Sequence, residues 1–246
     1  MFRELSGETF ISRDKPCPYL GGRSCATQYR FGGVGDLLYG ELLQRGWRRF
    51  GRLFFRPACA ACSECKSVRI DPNSFVWNRS FRRVLKKCER IKLKVGHPAI
   101  CDKRLDLYER YHKERAISRG WEAESSDPDE YDYAFLESDG NYAYEFDYYY
   151  LDRLVCVALV DILRVGVSAV YCYYEPEMPS FSLGVNSILQ QTLFAKEHGY
   201  KRLYLGYFVS GAKSLTYKAR FKPYEVLLER PSLNQTPKWI SGYALI

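Results

Sequence analysis

Apolar residues in this chain recur with a helical period in some stretches and a strand period in others, and the two alternate in a definite order. Up to residue 44 the pattern is weak. Turn chemistry in PCPYLGG gives way to breaks at Gly32, Gly33 and Gly35. Leu37, Leu38, Leu42 and Leu43 then fall at helical spacing behind Asp36, which predicts a short helix capped there. RRFGRLFFR and SVRIDP each read as a short strand, parted by Pro57 and a run of cysteines. SFRRVLKKCERIKLKV predicts a helix with Phe81, Val84, Leu85 and Cys88 on one face and basic residues opposite. From Asp102 to Gly120 a longer amphipathic helix follows. Leu105, Tyr108, Tyr111 or His112, and Ala116 form its apolar stripe, and Gly120 stands where a C-cap belongs. DPDEYDYAFLES predicts a second helix opened by Asp127 or Asp129.

Beyond residue 140 the period shortens to two. YAYEFDYYY, LVCVALVDIL and VSAVYCYY are rich in β-branched and aromatic residues and predict three antiparallel strands, turned at LDR and RVG. LGVNSILQQTLFAKEHG returns to the helical period, with Val185, Ile188, Leu189, Leu193 and Phe194 inward and Gly199 at its end; YKRLYLGYF is the strand after it. A helix between two strands at this spacing is a crossover, so the flanking strands should run parallel. The class is therefore α/β (α+β). The expected organisation is a cysteine-containing basic domain over residues 1–100 and a second domain over 101–246.

Charge sharpens this division. The net +8 arises from 37 Lys and Arg against 29 Asp and Glu. Between Arg45 and Lys94 stand 15 Lys and Arg with only Glu64, Asp71 and Glu89 against them, a net of +12, so the remainder sums to −4. Between Glu122 and Asp152 there are 11 acids and no Lys or Arg. A basic block with Trp47, Phe50, Phe54, Phe55, Phe75, Trp77 and Phe81 interleaved points to a polyanion surface, because a merely solubilising face mixes its signs. No apolar run approaches the ~20 residues that cross a bilayer. MFRELSGETFISRDKPC has no apolar core of signal-peptide type. The expectation is a cytoplasmic protein without a membrane partner, and in a reducing compartment its nine cysteines are not a disulfide framework.

Two constellations carry chemistry. Cys59, Cys62 and Cys65 form C-x₂-C-x₂-C, three thiols where a tetrahedral site needs four ligands; Cys17 is the best fourth donor and Cys25 the second. Zinc and an iron–sulfur cluster both accept such a set, and reduced unliganded thiols are the alternative. YLGYFVSGAKSLTYKARFKP places Tyr204, Tyr207, Lys213, Tyr217, Lys218, Arg220 and Lys222 just past the carboxyl end of a strand, where open α/β sheets put their ligands. Those residues suit an anionic ligand. The Ser/Gly turn before the last helix offers free backbone N–H groups to an oxyanion. A nucleophile elbow, a P-loop and a dinucleotide fingerprint are all absent from the sequence.

Taken in order, CPYL, GWRRFGRLFFRPACAACSECKSVRI, NRSFRR, LVCVALVDIL, SAVYCYYEPEMPSFSLG and YLGYFVSGAKSLTYKARFKP resemble the aminoacyl-tRNA–protein transferases. The likeness spans nearly the whole chain and is to the short bacterial branch, the aspartate/glutamate leucyltransferases, related to eukaryotic arginyl-tRNA–protein transferases. It implies a GNAT-like acyltransferase domain behind an N-terminal cysteine domain. It also implies transfer of an amino acid, leucine by branch, from aminoacyl-tRNA to acceptor proteins that begin with Asp or Glu, as a mark for N-degron degradation. Eukaryotic members carry a second cysteine where Leu20 stands here, and a basic–Met pair of the bacterial pattern is replaced by Ser214 and Leu215. The chemistry needs no cofactor, since the ester is already activated.

On this reading Tyr207, Tyr217 and Lys213 are the candidate catalytic residues, and Lys218, Arg220, Ser182 and Gly184 the substrate-binding ones. Arg48, Arg49, Arg52, Arg82, Arg83, Lys86 and Lys87 are candidates for tRNA phosphates, and Cys17, Cys59, Cys62 and Cys65 for a metal or cluster. Arginyl transfer, a GNAT-type acetyltransferase and a non-catalytic zinc RNA-binding protein are the alternatives. The acetyltransferase leaves the basic block and the thiols unexplained, and the RNA-binding protein leaves the Tyr/Lys-rich strand edge idle.

Overall fold

The computed structural model describes residues 9–120 and 127–242. The N-terminal strands are β1 Thr9–Ile11, β2 Lys15–Pro16, β3 Ser24–Cys25 and β4 Thr27–Phe31. They are followed by α1 Asp36–Gln44, β5 Arg48–Phe50, β6 Leu53–Pro57, β7 Lys66–Ile70, α2 Arg79–Lys87 and β8 Ile91–Gly96. Then come α3 Asp102–Arg119, α4 Pro128–Tyr131 continued by a π-helical turn Asp132–Leu136, β9 Ala143–Tyr150, β10 Arg153–Leu163 and β11 Gly166–Tyr174. The chain closes with α5 Leu183–Glu197, β12 Leu203–Phe208, α6 Lys213–Thr216 continued by a 3₁₀ turn Tyr217–Arg220, β13 Tyr224–Leu227 and β14 Trp239–Ser241.

Eight strands form one sheet in the order β14-β13-β7-β12-β11-β10-β9-β8. A four-stranded sheet β1-β4-β6-β5 and the small β2-β3 pair stand beside it. The antiparallel meander β9-β10-β11 and the parallel β11-β12 pair around α5 are as the periodicity predicts. So are α3 with Gly120 as its left-handed C-cap (φ 65°) and α4 with Asp127 accepting from the N–H groups of Asp129 and Glu130. α2 and α5 cover one face of the large sheet, burying Phe81, Phe146, Tyr148, Ala158, Val160 and Leu189. α3 and the π-turn cover the other through Leu107, Tyr108, Tyr131, Phe135, Val157 and Tyr173. A third cluster joins α1 and β6 to that sheet through Tyr39, Leu42, Phe54, Tyr142 and Leu163.

The structure differs from the expectation in four places. RRFGRLFFR is a hairpin, not one strand: β5 and β6 pair across Gly51, whose φ is +52° and where a Cβ would lie 1.9 Å from the Tyr133 carbonyl oxygen. That position requires glycine. The helix expected over SFRRVLKKCERIKLKV ends at Lys87, and IKLKV, whose alternation has period two, is β8. Asp36 does not cap α1. Gly35 is the N-cap, and the Asp36 carboxylate instead accepts the Asn141 N–H at 3.2 Å. The buried face of α5 is more polar than its Leu and Ile suggest, for Asn186, Ser187, Gln191 and Thr192 turn inward with Ile188 and Leu189. Ser187 Oγ there receives bonds from the Tyr148 hydroxyl and the Gln191 amide.

The large sheet draws on both sides of residue 100. β7 pairs antiparallel with β12 on one side and with β13 on the other, and β8 closes the far edge against β9.

Candidate active site and nucleic-acid surface

β11 and β12 pair only at Val167–Leu203 and Ser168–Tyr204, although β11 runs on to Tyr174 and β12 to Phe208. The sheet therefore opens into a cleft at the carboxyl end of both strands, with the start of α5 at its rim. Ser182 is the N-cap of α5, held left-handed at φ 53° and ψ 48°, and its side chain makes no capping bond. The N–H groups of Leu183 and Gly184 lie in the first turn and have no intrahelical partner, so they can receive an oxyanion. Gly184 lets the Tyr174 ring pack closely on this turn: a Cβ there would stand 3.1 Å from that ring.

Tyr217 reaches the same cleft. Its ring is partly exposed, while its hydroxyl is shielded beside Cys172, Tyr111 and Tyr174, and burial pushes its pKa up. A phenol is protonated at neutral pH, so this hydroxyl can donate a hydrogen bond into the cleft. α3 supplies the cation that the sequence reading overlooked. Arg115 donates to the Tyr174 hydroxyl at 2.8 Å and lies over the rings of Tyr111 (4.9 Å) and Tyr174 (5.5 Å). The available signal was Tyr111 and Arg115 four apart on one predicted helix.

Other expected site residues are placed differently. The Tyr207 hydroxyl donates to the Gly46 carbonyl at 2.7 Å, and burial raises its pKa. It ties β12 to the turn before β5. Lys218 is buried and donates to the Tyr207 carbonyl at 2.8 Å. Burial, with Arg48 nearby, pushes its pKa down to about 7. Arg220 is exposed, lies over Phe81 at 5.9 Å and reaches Ser80 at 3.5 Å, so Lys218 and Arg220 do not converge on one ligand. Lys213 opens α6, and its side chain lies outside the described residues.

The expected polyanion block divides sharply. Arg48 and Arg49 are not on a surface. Arg49 clamps the fully buried Asp161 through Nε at 3.0 Å and Nη2 at 2.5 Å, with the Tyr39 hydroxyl donating to the same carboxylate at 2.6 Å. Arg48 donates to Ser168 Oγ at 3.1 Å, is 7% exposed, and its Nε and Nη2 have no partner among the described residues. Their partners stand more than a hundred residues away in sequence, which local charge patterning does not reveal. Arg52 is paired with Asp139 at 2.7 Å and lies over Phe31.

Arg82, Arg83, Lys86 and Lys87 are exposed on α2, together with Arg79. Asn78 caps this helix by accepting the Phe81 N–H at 2.9 Å, and Phe81 anchors it. Its last turn meets the approach to α5: Lys87 Nζ donates to the Ser180 carbonyl at 2.9 Å and Cys88 Sγ to the Phe181 carbonyl at 3.3 Å. The basic face thus leads to the helix N-terminus at the cleft, with Arg220 on the same side.

Five thiols gather near the N-terminal sheet. Cys65 is pushed up to about 12 by burial and by the neighbouring Cys59, Cys17 and Cys62, while burial and Cys17 raise Cys25. Three of them are engaged separately, however. Cys25 donates to the Pro16 carbonyl and Cys59 to the Ala26 carbonyl, both at 3.6 Å, and Cys62 accepts from Arg23 at 3.5 Å. Among the described residues no group of three or more His, Cys, Asp or Glu is arranged to hold a metal ion. The expected Cys17, Cys59, Cys62 and Cys65 set is close but does not converge, and as placed it does not fit zinc or a cluster. The described residues also contain no helix long and apolar enough to cross a membrane.

Comparison with known proteins sets this geometry in context. A profile described as arginine-tRNA-protein transferase, N terminus, matches residues 15–83, and one described as arginine-tRNA-protein transferase, C terminus, matches residues 103–228. An aspartate/glutamate leucyltransferase of Campylobacter jejuni subsp. jejuni serotype O:6 is 38% identical over 219 residues, covering 89% of this chain and 92% of the relative. A protein of the same name from Helicobacter hepaticus is 37% identical over 231 residues, 94% and 96% of the two chains. Among solved structures, L-PGS from Bacillus licheniformis aligns with a TM-score of 0.47 at 13% identity over 85% of this chain and 81% of that one. FemX gives 0.43 at 12% over 83% and 80%. Those two likenesses are too distant to carry chemistry.

Proposed function

We propose that this chain, which belongs to the arginine-tRNA–protein transferase family and is thereby an aminoacyltransferase, moves leucine from leucyl-tRNA to the N-terminal Asp or Glu of acceptor proteins. The observation that carries the reading is the junction of the basic face of α2 with the open N-terminus of α5 at the β11–β12 cleft. Phosphates of the tRNA lie along Arg82, Arg83, Lys86 and Lys87, with Arg220 beside them. The charged 3′ end enters at Ser182–Gly184.

The acceptor's α-amine attacks the ester carbonyl there. A C–N bond forms, the C–O bond to the ribose breaks, and the amine's proton leaves with the ribose oxygen. An α-amino pKa of ~7.7–8.0 leaves a useful neutral fraction at physiological pH. The N–H groups of Leu183 and Gly184 face the oxyanion, and Tyr217 is placed to pass a proton to the leaving oxygen. Arg115 holds Tyr174 against the cleft wall. Holding ester and amine together is worth ~7–11 kcal/mol at best, to which the oxyanion donors and the proton donor add. The leucylated N-terminus would mark the acceptor for N-degron degradation in the cytoplasm.

The donor is chosen from the branch resemblance and from the names of the relatives. The test presents radiolabelled leucyl-tRNA and arginyl-tRNA separately to peptides beginning with Asp, Glu or Ala. Leucine appearing on the Asp and Glu peptides alone is expected. Transfer of arginine instead would overturn the donor assignment, and transfer of neither would overturn the activity.

A further inference from the structure

A pocket of ≈570 Å³ lies between the cysteine loop and the carboxyl end of β12. Arg56, Arg230, Lys66, Tyr207, Cys59 and Cys62 are among its walls. Much of the guanidinium capacity is spent on the fold: Arg56 donates to Gln28 and to the Pro231 carbonyl, and Arg230 to the Cys59 and Cys62 carbonyls. The Arg56 guanidinium also lies over the Trp47 ring at 4.9 Å, while Arg56 Nη2, Arg230 Nε and Lys66 Nζ make no hydrogen bond among the described residues. Glu229 also lines the pocket, and among the described residues no ion pair joins it to these cations.

The positive field deepens behind the wall. Arg48 packs against the Tyr207 ring at 6.0 Å, with Nε and Nη2 unpartnered among the described residues, and the buried Lys218 donates to the Tyr207 carbonyl. Arg49, with its own carboxylate, offers no such excess. Buried cations without counter-charges are costly, and an entering carboxylate relieves that cost.

The pocket's position fixes what enters. Lys66 and Ser67 of β7 pair with Phe208 and Tyr207, so the pocket sits on the β7 side of the β12 carboxyl end. The reaction cleft sits on the β11 side of that same end. β12 stands between the two, with β7 paired on one side of it and β11 on the other. A ligand spanning them carries a carboxylate within a few bonds of a nucleophile.

We propose that this pocket, on the transfer reading above, receives the side-chain carboxylate of the acceptor's first residue, with Arg56, Arg230 and Lys66 reading its charge and the α-amine reaching over the end of β12 into the cleft. The site thereby selects Asp and Glu by geometry as well as by charge, since a longer reach would carry the amine past the ester.

The test has two arms. In the kinetic arm, Lys66→Met and Arg56→Gln should each raise KM for Asp- and Glu-started peptides about 10–100-fold, as loss of a charge-assisted hydrogen bond does. The change in kcat should be smaller, and leucyl-tRNA affinity should stay at the wild-type value. In the second arm the unmodified protein is labelled with iodoacetamide and its cysteines are followed by mass spectrometry. A peptide with N-terminal Asp should slow labelling of Cys59 and Cys62 but not of Cys101, and the same peptide begun with Ala should protect none. Equal labelling with both peptides overturns the pocket assignment, as do wild-type KM values in both variants. A wild-type protein that transfers neither amino acid while the Asp peptide still protects Cys59 and Cys62 overturns the activity and upholds the pocket.

Discussion

Replacing Arg49 by methionine separates a buried strut from a phosphate contact. Arg49 is 4% exposed, and its guanidinium makes two bonds to Asp161, which has no exposure, and donates to the Gly51 carbonyl at 2.9 Å. Arg49→Met leaves the Asp161 carboxylate buried with the Tyr39 hydroxyl as its remaining side-chain donor among the described residues. Stranding one member of a buried ion pair costs about 3–5 kcal/mol. At ~2–4 °C per kcal/mol for a chain of this size, Tm should fall by roughly 6–20 °C. Removing the whole set, with Arg49→Met, Asp161→Leu and Tyr39→Phe together, should cost less than Arg49→Met alone, because no charge is then left without a partner. Urea unfolding with linear extrapolation measures both. A tRNA titration across salt concentrations, run where each variant is folded, should return the wild-type slope, since a buried guanidinium releases no counterions. An Arg49→Met protein within about 0.5 kcal/mol of wild type, or one with a shallower salt slope, would refute the assignment.

Neutralising Arg82, Arg83, Lys86 and Lys87 together should weaken tRNA binding and lower the slope of log K against log salt by roughly 0.7–0.9 for each phosphate that is no longer neutralised; an unchanged slope places the tRNA elsewhere. Asn78→Ala removes the cap of α2 and should cost about 1 kcal/mol in urea unfolding, with no loss expected from Asn78→Ser. Lys218 has a folded pKa of about 7 against an ordinary value of 10.5. The unfolded chain therefore binds the extra proton between those values, and stability should rise with pH from 7 to 10.5. Lys218→Met should abolish that rise, and an identical pH profile in the variant would show that the ammonium is not buried.

The local elements were legible because their signals are local. Gly120 and Asp127 announced the ends of α3 and α4, and the change to period two at residue 143 announced the meander. The crossover rule gave the parallel β11–β12 pair. The distribution of charge misled where partners lie far off: Arg48 and Arg49 look like the rest of the basic block until Ser168 and Asp161 arrive from the other half of the chain. The end of α2 was readable in the alternation of IKLKV, but the basic residues of the helix continue into the strand and mask the boundary. At the candidate site, Ser182, Gly184 and Tyr217 are expectations drawn from turn chemistry and segment position. Arg115 and the free donors of Arg56, Arg230 and Lys66 emerge only when separate elements meet.

β7 has a consequence for synthesis on the ribosome. Its neighbours β12 and β13 are translated about 130 and 150 residues after it. At ~5–20 residues per second the nascent chain carries this unpaired strand for roughly 7–30 s. A strand destined for the interior of a sheet is, for that interval, an exposed edge open to association with other chains. Lys66 and Arg69 sit within its five residues, KSVRI, and such charges are what keep an exposed edge from pairing with its neighbours. In the finished protein Arg69 finds Glu225 at 2.6 Å on the arriving β13, so the charge that guards the waiting strand also receives its partner.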